Sequence, residues 1–233
     1  MDEKGNMVLG VAISKDAILD LDLGGKISIT KQEDETEIVK GSGRIIFAAK
    51  DKEADMSSII GIKMTINDIK VQSPGYGWIT LSSEPKTFDL LELKSEGSAI
   101  LLSNSQIEKG VYTQIRLNIS NVTVVDSNGN NEAKLPSGEL KIIGNLFVNE
   151  NSTSTALFDF SADDSLHQNG NGDYIFAPVI KLEIREKANV KIKSGFADIE
   201  GGIIKTSTTL GMDAKGNIGV GLKIPKNVDI ALG

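Results

Sequence analysis

Residues 111–119 read Val-Tyr-Thr-Gln-Ile-Arg-Leu-Asn-Ile, and this stretch decides the fold class. Val111, Thr113, Ile115, Leu117 and Ile119 alternate with Tyr112, Gln114, Arg116 and Asn118. A period of two puts the first set on one face of a strand and the second on the other. Overlapping its start, Ile107-Glu108-Lys109-Gly110-Val111-Tyr112 has the spacing of a tyrosine corner. In that motif a Tyr hydroxyl bonds back to upstream backbone in a Greek-key sandwich. A tyrosine facing solvent from the strand is the alternative reading.

The same alternation recurs outward in both directions. Ile62, Met64 and Ile66 share one phase and Ile69 and Val71 the other, so the pattern slips at Asn67-Asp68, as a β-bulge makes it do. Trp78-Ile79-Thr80-Leu81 follows the turn Pro74-Gly75-Tyr76-Gly77, and Asp126-Ser127-Asn128-Gly129-Asn130 is a further turn cluster. Ile180, Leu182 and Ile184 make a late strand with Pro178 near its start, where a missing donor is tolerated. Helical periodicity is confined to short turns at Leu90–Lys94 and Glu53–Ile60. The sequence therefore predicts an all-β fold, an antiparallel Greek-key β-sandwich with extra N- and C-terminal strands. Ile115, Leu117, Phe158, Phe160 and Ile180 are its expected core. Three regions are expected: 1–42 as a strand segment with an acidic linker, 43–186 as the sandwich, and 187–233 as a hairpin extension.

Composition narrows the function. The chain has 233 residues, 39% hydrophobic and 24% charged, ordinary for a globular protein, with 24 Gly and few aromatics. A net charge of −7 disfavours nucleic acid and anionic membrane surfaces. With no Cys, disulfide frameworks and thiolate metal sites are excluded. No apolar run approaches the roughly 20 residues of a membrane helix. Met1-Asp2-Glu3-Lys4 is acidic and polar, unlike a secretory leader, which predicts a cytoplasmic protein or a mature exported form.

A search for chemistry finds little. His167 is the single histidine, and it sits in a polar segment suggesting an exposed side chain. No nucleophile elbow, phosphate loop or dinucleotide fingerprint is present, and nothing in the spacing of Asp163-Asp164 marks a glycosidase pair. The chain reads as non-enzymatic and without a cofactor. Calcium is the one ligand suggested: Asp126, Asn128, Asn130 and Glu132 offer oxygens at every second position, as do Asn169, Asn171 and Asp173. Asn-Gly turns between strands explain the same residues without a metal. Sequons at Asn118, Asn121 and Asn151 are compatible with N-glycosylation in a secreted protein.

The stretches Gly77–Leu93 (GWITLSSEPKTFDLLEL), Gly110–Leu117 (GVYTQIRL), Leu135–Gly144 (LPSGELKIIG) and Gly170–Ile180 (GNGDYIFAPVI) carry a family resemblance. Over residues 43–186 the chain resembles the domain-of-unknown-function 4382 family. The resemblance implies a transthyretin-like β-sandwich, an exported or lipid-anchored surface protein, and no assigned activity. Ala48-Ala49-Lys50-Asp51 departs from the family's more usual Thr-Asp-Ala-Pro turn.

Outside that match, the two ends resemble each other. Residues 1–15 (MDEKGNMVLGVAISK) align with 212–226 (MDAKGNIGVGLKIPK), sharing the turn and the apolar positions of the next strand. Met7, Leu9, Val11 and Ile13 line one face of residues 7–13, with Val8, Gly10 and Ala12 on the other, so both faces want burial. Thr206–Gly211 can pair back on the C-terminal copy, whereas no residue of the sequence precedes the N-terminal turn. The expected function is a structural or adhesive cell-surface protein, a filament or sheath subunit. Assembly is expected through β-strand addition, head-to-tail with copies of itself, the 7–13 strand being the assembly strand. The rival is a carbohydrate- or cell-wall-binding module using surface glycans, with Trp78, Tyr76, Tyr112 and Tyr174 as stacking candidates. A cytoplasmic carrier or chaperone-like protein is the third reading.

Overall fold

A computed structural model describes residues 17–21, 27–31, 41–51, 56–96 and 99–224. Two compact units divide the chain, residues 1–40 and 41–233. In the first, β1 (Ala17–Leu21) and β2 (Ile27–Lys31) form an antiparallel hairpin, from Ala17 opposite Lys31 to Leu21 opposite Ile27. This hairpin is an addition to the strands expected from alternation. The expected assembly strand Met7–Ile13, and all but the first residue of the acidic stretch 31–37, lie outside the described residues.

The second unit is a β-sandwich. Its strands are β3 (Ser42–Asp51), β4 (Ile59–Ser73), β5 (Gly77–Ser82), β6 (Lys86–Asp89), β7 (Ala99–Glu108), β8 (Gly110–Asp126), β9 (Gly129–Glu132), β10 (Glu139–Val148), β11 (Thr153–Phe160), β12 (Leu166–Gln168), β13 (Tyr174–Phe176), β14 (Val179–Glu186), β15 (Asn189–Lys193), β16 (Phe196–Glu200), β17 (Ile203–Met212) and β18 (Ile218–Val220). Two short helices, α1 (Leu90–Glu96) and α2 (Ala162–Ser165), interrupt them. One six-stranded sheet has the order β10-β8-β4-β5, with β6 also on β4 and β9 on β8. The other has eight strands, β15-β16-β7-β3-β11-β14-β17-β18. The chain crosses between the two sheets after β3, β6, β7 and β10, so strands distant in sequence become neighbours, as an all-β sandwich requires. One pairing departs from the antiparallel expectation: β3 and β11 run parallel, Thr153 opposite Arg44 through Phe160 opposite Asp51.

The core lies between the sheets. Ile115, Leu117, Phe158, Phe160 and Ile180 are all buried there, as their alternation predicts. Phe47 and Phe158 meet edge to face, 5.6 Å between ring centres and 61° between planes. The predicted bulge is present in both partners. Thr65 pairs with Asn121 but Ile66 with Ile119 and Asp68 with Asn118, leaving Ser120 and Asn67 out of register. Those two bond to each other, Ser120 Oγ to Asn67 Oδ1 at 3.0 Å. The slip keeps Ile62, Met64, Ile66, Ile69 and Val71 on the core face of one strand, and Ile115, Leu117, Ile119, Val122 and Val124 on that of its partner.

Tyr112 forms the tyrosine corner: its hydroxyl donates to the Glu108 carbonyl at 2.8 Å and its ring is buried. This corrects the simple alternation of 111–119. The corner draws Tyr112 inward and turns Val111 out to 40% exposure. Replacing Tyr112 by Phe strands a carbonyl while keeping the ring, so we expect a loss of about 1–2 kcal/mol in denaturant melts. An unchanged midpoint would show that solvent satisfies that carbonyl.

Residues after 186 enter the same eight-stranded sheet as two hairpins at opposite edges. The β15–β16 hairpin reaches β7, with Phe196 opposite Ile100 and Ala197 opposite Ala99. Ala48, Ala99 and Ala197, with Leu101, Leu157, Val190 and Ile199, form a second small apolar cluster there. Ala48 and Leu157 point opposite to their neighbours Phe47 and Phe158, so this cluster lies on the outer face of the sheet. β17 pairs with β14, and β18 folds back on β17. Of the predicted helical turns, Leu90–Lys94 is the start of α1, opened by Asp89 Oδ1 accepting the Leu91 N–H at 3.0 Å. The other fails, since Ile59 and Ile60 belong to β4 and residues 53–55 lie outside the described residues.

Candidate functional site

Of the residues expected to bind calcium, Asp126, Asn128, Asn169, Asn171 and Asp173 take part in turns. Asn169 Oδ1 accepts the N–H groups of Asn171 (3.0 Å) and Asp173 (2.8 Å), and its amide donates to Asp173 Oδ2 at 3.1 Å. Gly172, at φ 86°, closes the loop by donating to the Asn169 carbonyl at 3.0 Å. An equivalent network closes the β17–β18 turn: Asp213 Oδ1 accepts the N–H of Lys215 and of Asn217, both at 2.9 Å, and Asn217 donates to Asp213 Oδ2 at 3.0 Å. Asx residues favour such side-chain-to-backbone turns. Asp126 Oδ1 accepts the Asn128 N–H at 2.8 Å and Oδ2 the Tyr174 hydroxyl at 2.9 Å. Asn130 and Glu132 stand on β9 rather than in a loop. The fold brings Asp126 and Tyr174 into direct contact, and Asp173, next to Tyr174, pairs with Lys134 at 3.3 Å. Among the described residues no three His, Asp or Glu side chains gather as a cation cage.

These carboxylates share an electrostatic consequence. The Tyr174 hydroxyl, then the Asn128 N–H, hold Asp126 below the usual carboxylate range. Asn169 and then Lys134 do the same for Asp173, and the Asn217 side chain and N–H for Asp213. A folded pKa below the unfolded one contributes stability that is complete above the unfolded value and lost as pH falls through the folded one. Melting temperature should therefore hold steady near neutrality and drop below about pH 4, the ordinary Asp value. An Asp126→Asn variant should show a shallower drop; an identical acid limb would contradict this.

The remaining chemical candidates are committed to structure. His167 is buried on β12, opposite Ile175, correcting its expected exposure. Asp163 and Asp164 accept from the Ser161 hydroxyl at the start of α2, at 2.8 and 3.1 Å. Of the four aromatic candidates, Tyr112 is the buried corner and Tyr174 serves Asp126. Tyr76 and Trp78 are exposed, and the Arg116 guanidinium sits 4.1 Å from the centre of the Trp78 ring. Asn118, Asn121 and Asn151 are all exposed; Asn151 lies in the β10–β11 turn at φ 52°. A groove of about 510 Å³ beside the β15–β16 hairpin is lined by Lys50, Leu157, Lys191, Lys193, Phe196 and Asp198, among others.

Exposed apolar side chains mark both ends of the last hairpin. Ile203 (51%), Ile204 (50%), Val220 (75%) and Leu222 all lie on β17, β18 and the residue pair that follows them. β18 covers only Leu210–Met212 of β17. Gly221, at φ 71°, then turns the chain off the edge, and Ile224 returns to the core. The similarity of the two termini points to this hairpin, but not to the stretch of β17 it leaves open. No helix among the described residues is long and apolar enough to cross a membrane.

No curated protein and no solved structure matches the chain. A family profile does, covering residues 42–178, and it opens at β3 and closes just before β14, so it spans the Greek-key strands and leaves both terminal hairpins outside. By that match the chain belongs to the domain of unknown function 4382 (DUF4382) family.

Proposed function

We propose that this chain is a non-enzymatic structural or adhesive surface protein, a subunit that joins copies of itself by β-strand addition. The observation that carries the reading is the stretch of β17 that β18 leaves unpaired among the described residues, which opens on the half-exposed Ile203 and Ile204. Exposed edges of this kind are templates for pairing with another chain. The chain also carries, in residues 7–13, a segment apolar on both faces that needs a sheet to enter. Donor and acceptor would be different surfaces, so the contact is head-to-tail and propagates. Electron microscopy and light scattering of the intact chain over a wide concentration range test the reading. Filaments or concentration-dependent oligomers are expected; a compact monomer throughout sinks it.

A second reading rests on Trp78 and Tyr76, exposed on one strand and its turn beside Gln72 and Arg116. Such a platform suits stacking on a sugar ring. Polysaccharide binding abolished by Trp78→Ala would favour it over assembly.

A further inference from the structure

Resting on the assembly proposed above, we infer that the acceptor is the free edge of β17 at Ile203–Thr209, and that its occupant is residues 7–13 of a second copy. β17 has ten residues and β18 pairs with the last three, leaving a seven-residue edge bonded on its inner side to β14. Among the described residues no strand pairs its outer side. The edge reads Ile-Ile-Lys-Thr-Ser-Thr-Thr, five of the seven β-branched.

Two other edges carry protection of the usual kinds, while the β17 edge has a register shift of its own where β14 steps from Ile184 to Arg185. β15 presents Lys191 and Lys193, and β10 is broken by a register shift between Ile143 and Leu146. The single charge on the β17 edge, Lys205, is drawn onto the body of the protein. Its ammonium lies 3.7 Å from Glu186 and 6.0 Å from the centre of the Phe147 ring.

Three features select the occupant. Residues 7–13 match the seven-residue edge in length. Their apolar residues on both faces suit a strand that adds to a sheet while covering Ile203 and Ile204. β17 already accepts a strand of the same pattern at its far end, because Met7, Leu9, Val11 and Ile13 correspond to Ile218, Val220, Leu222 and Ile224.

Complementation between full-length variants tests the inference. Leu9→Asp/Val11→Asp removes the donor, and Ile203→Lys/Ile204→Lys blocks the acceptor at two half-exposed side chains. Each variant alone should stay monomeric, with its melting temperature near that of the parent. Mixed, they should form a one-to-one complex that grows no further, and the amides of 203–209 in the donor-blocked partner should exchange at least tenfold more slowly. If the parent assembles and the lysine variant assembles equally well, the acceptor assignment is wrong while the assembly reading stands. If 203–209 are protected at every concentration, the chain covers its own edge, through residues 225–233 or its own N-terminus, and the inference is wrong. A parent that never assembles overturns both.

Discussion

Replacing Phe158 by alanine should lower the stability of the sandwich by about 3–5 kcal/mol. Phe158 is wholly buried at the middle of β11, and its ring meets Phe47 across the parallel β3–β11 pair. Truncation removes the ring's transfer free energy and leaves a cavity whose walls belong to hydrogen-bonded strands and cannot collapse far. For a domain of this size the expected fall in melting temperature is on the order of 10 °C. Leu157, one residue away on the outer face, is only partly buried in the small alanine-rich cluster. Leu157→Ala should therefore cost far less, about 1 kcal/mol. Equal losses at the two positions would show that the space between the sheets is not the main core.

The inward and outward faces of these strands were legible because a half-buried strand must alternate. Where alternation slips at Asn67-Asp68, the structure has the bulge, since only a slip in both partners keeps Ile62–Ile66 and Ile69–Val71 on one core. The tyrosine corner was legible from spacing, but its effect on Val111 was not, because the corner's backbone path overrides the local period. The parallel β3–β11 pairing was hidden, because which strand lies beside which is set by the whole topology and not by either segment. His167 differs for a related reason: the segment around it is largely polar, yet the β12–β13 hairpin turns it inward. At the site, spacing of oxygen donors at 126–132 and 169–173 suggested calcium, but the same spacing satisfies backbone N–H groups in Asx loops. The similarity of the two termini points to the β17–β18 hairpin, but how little of β17 it covers depends on where Gly221 turns the chain away.

Gly211→Val should be nearly as damaging as the loss of Phe158, though Gly211 has no side chain to lose. Gly211 is buried in β17, opposite Val179 on one side and Gly219 on the other. A Cβ there would collide with the carbonyl oxygen of Leu222, which is held between β18 and the buried Ile224 and has little freedom to retreat. Relief requires residues 221–224 to leave. Ile224, 3% exposed and part of the main core, leaves with them, which costs about 1.5–3 kcal/mol, and the β18 pairing is weakened as well. We expect a total of about 2–4 kcal/mol, together with new tryptic cleavage after Lys223. Gly219→Ala is the control, since a Cβ at that position meets first the Leu222 side chain, with Cδ1 at 3.1 Å, and a leucine can rotate away. Its cost should stay below about 1 kcal/mol. Releasing the end of the hairpin also lengthens the open edge of β17 beyond Ile203–Thr209 to include Leu210–Met212. If strand addition is how this protein works, the Gly211→Val chain will be less stable as a monomer and more prone to associate. A variant that melts like the parent, with Lys223 still resistant, would mean that residues 221–224 do not rest against Gly211 in solution.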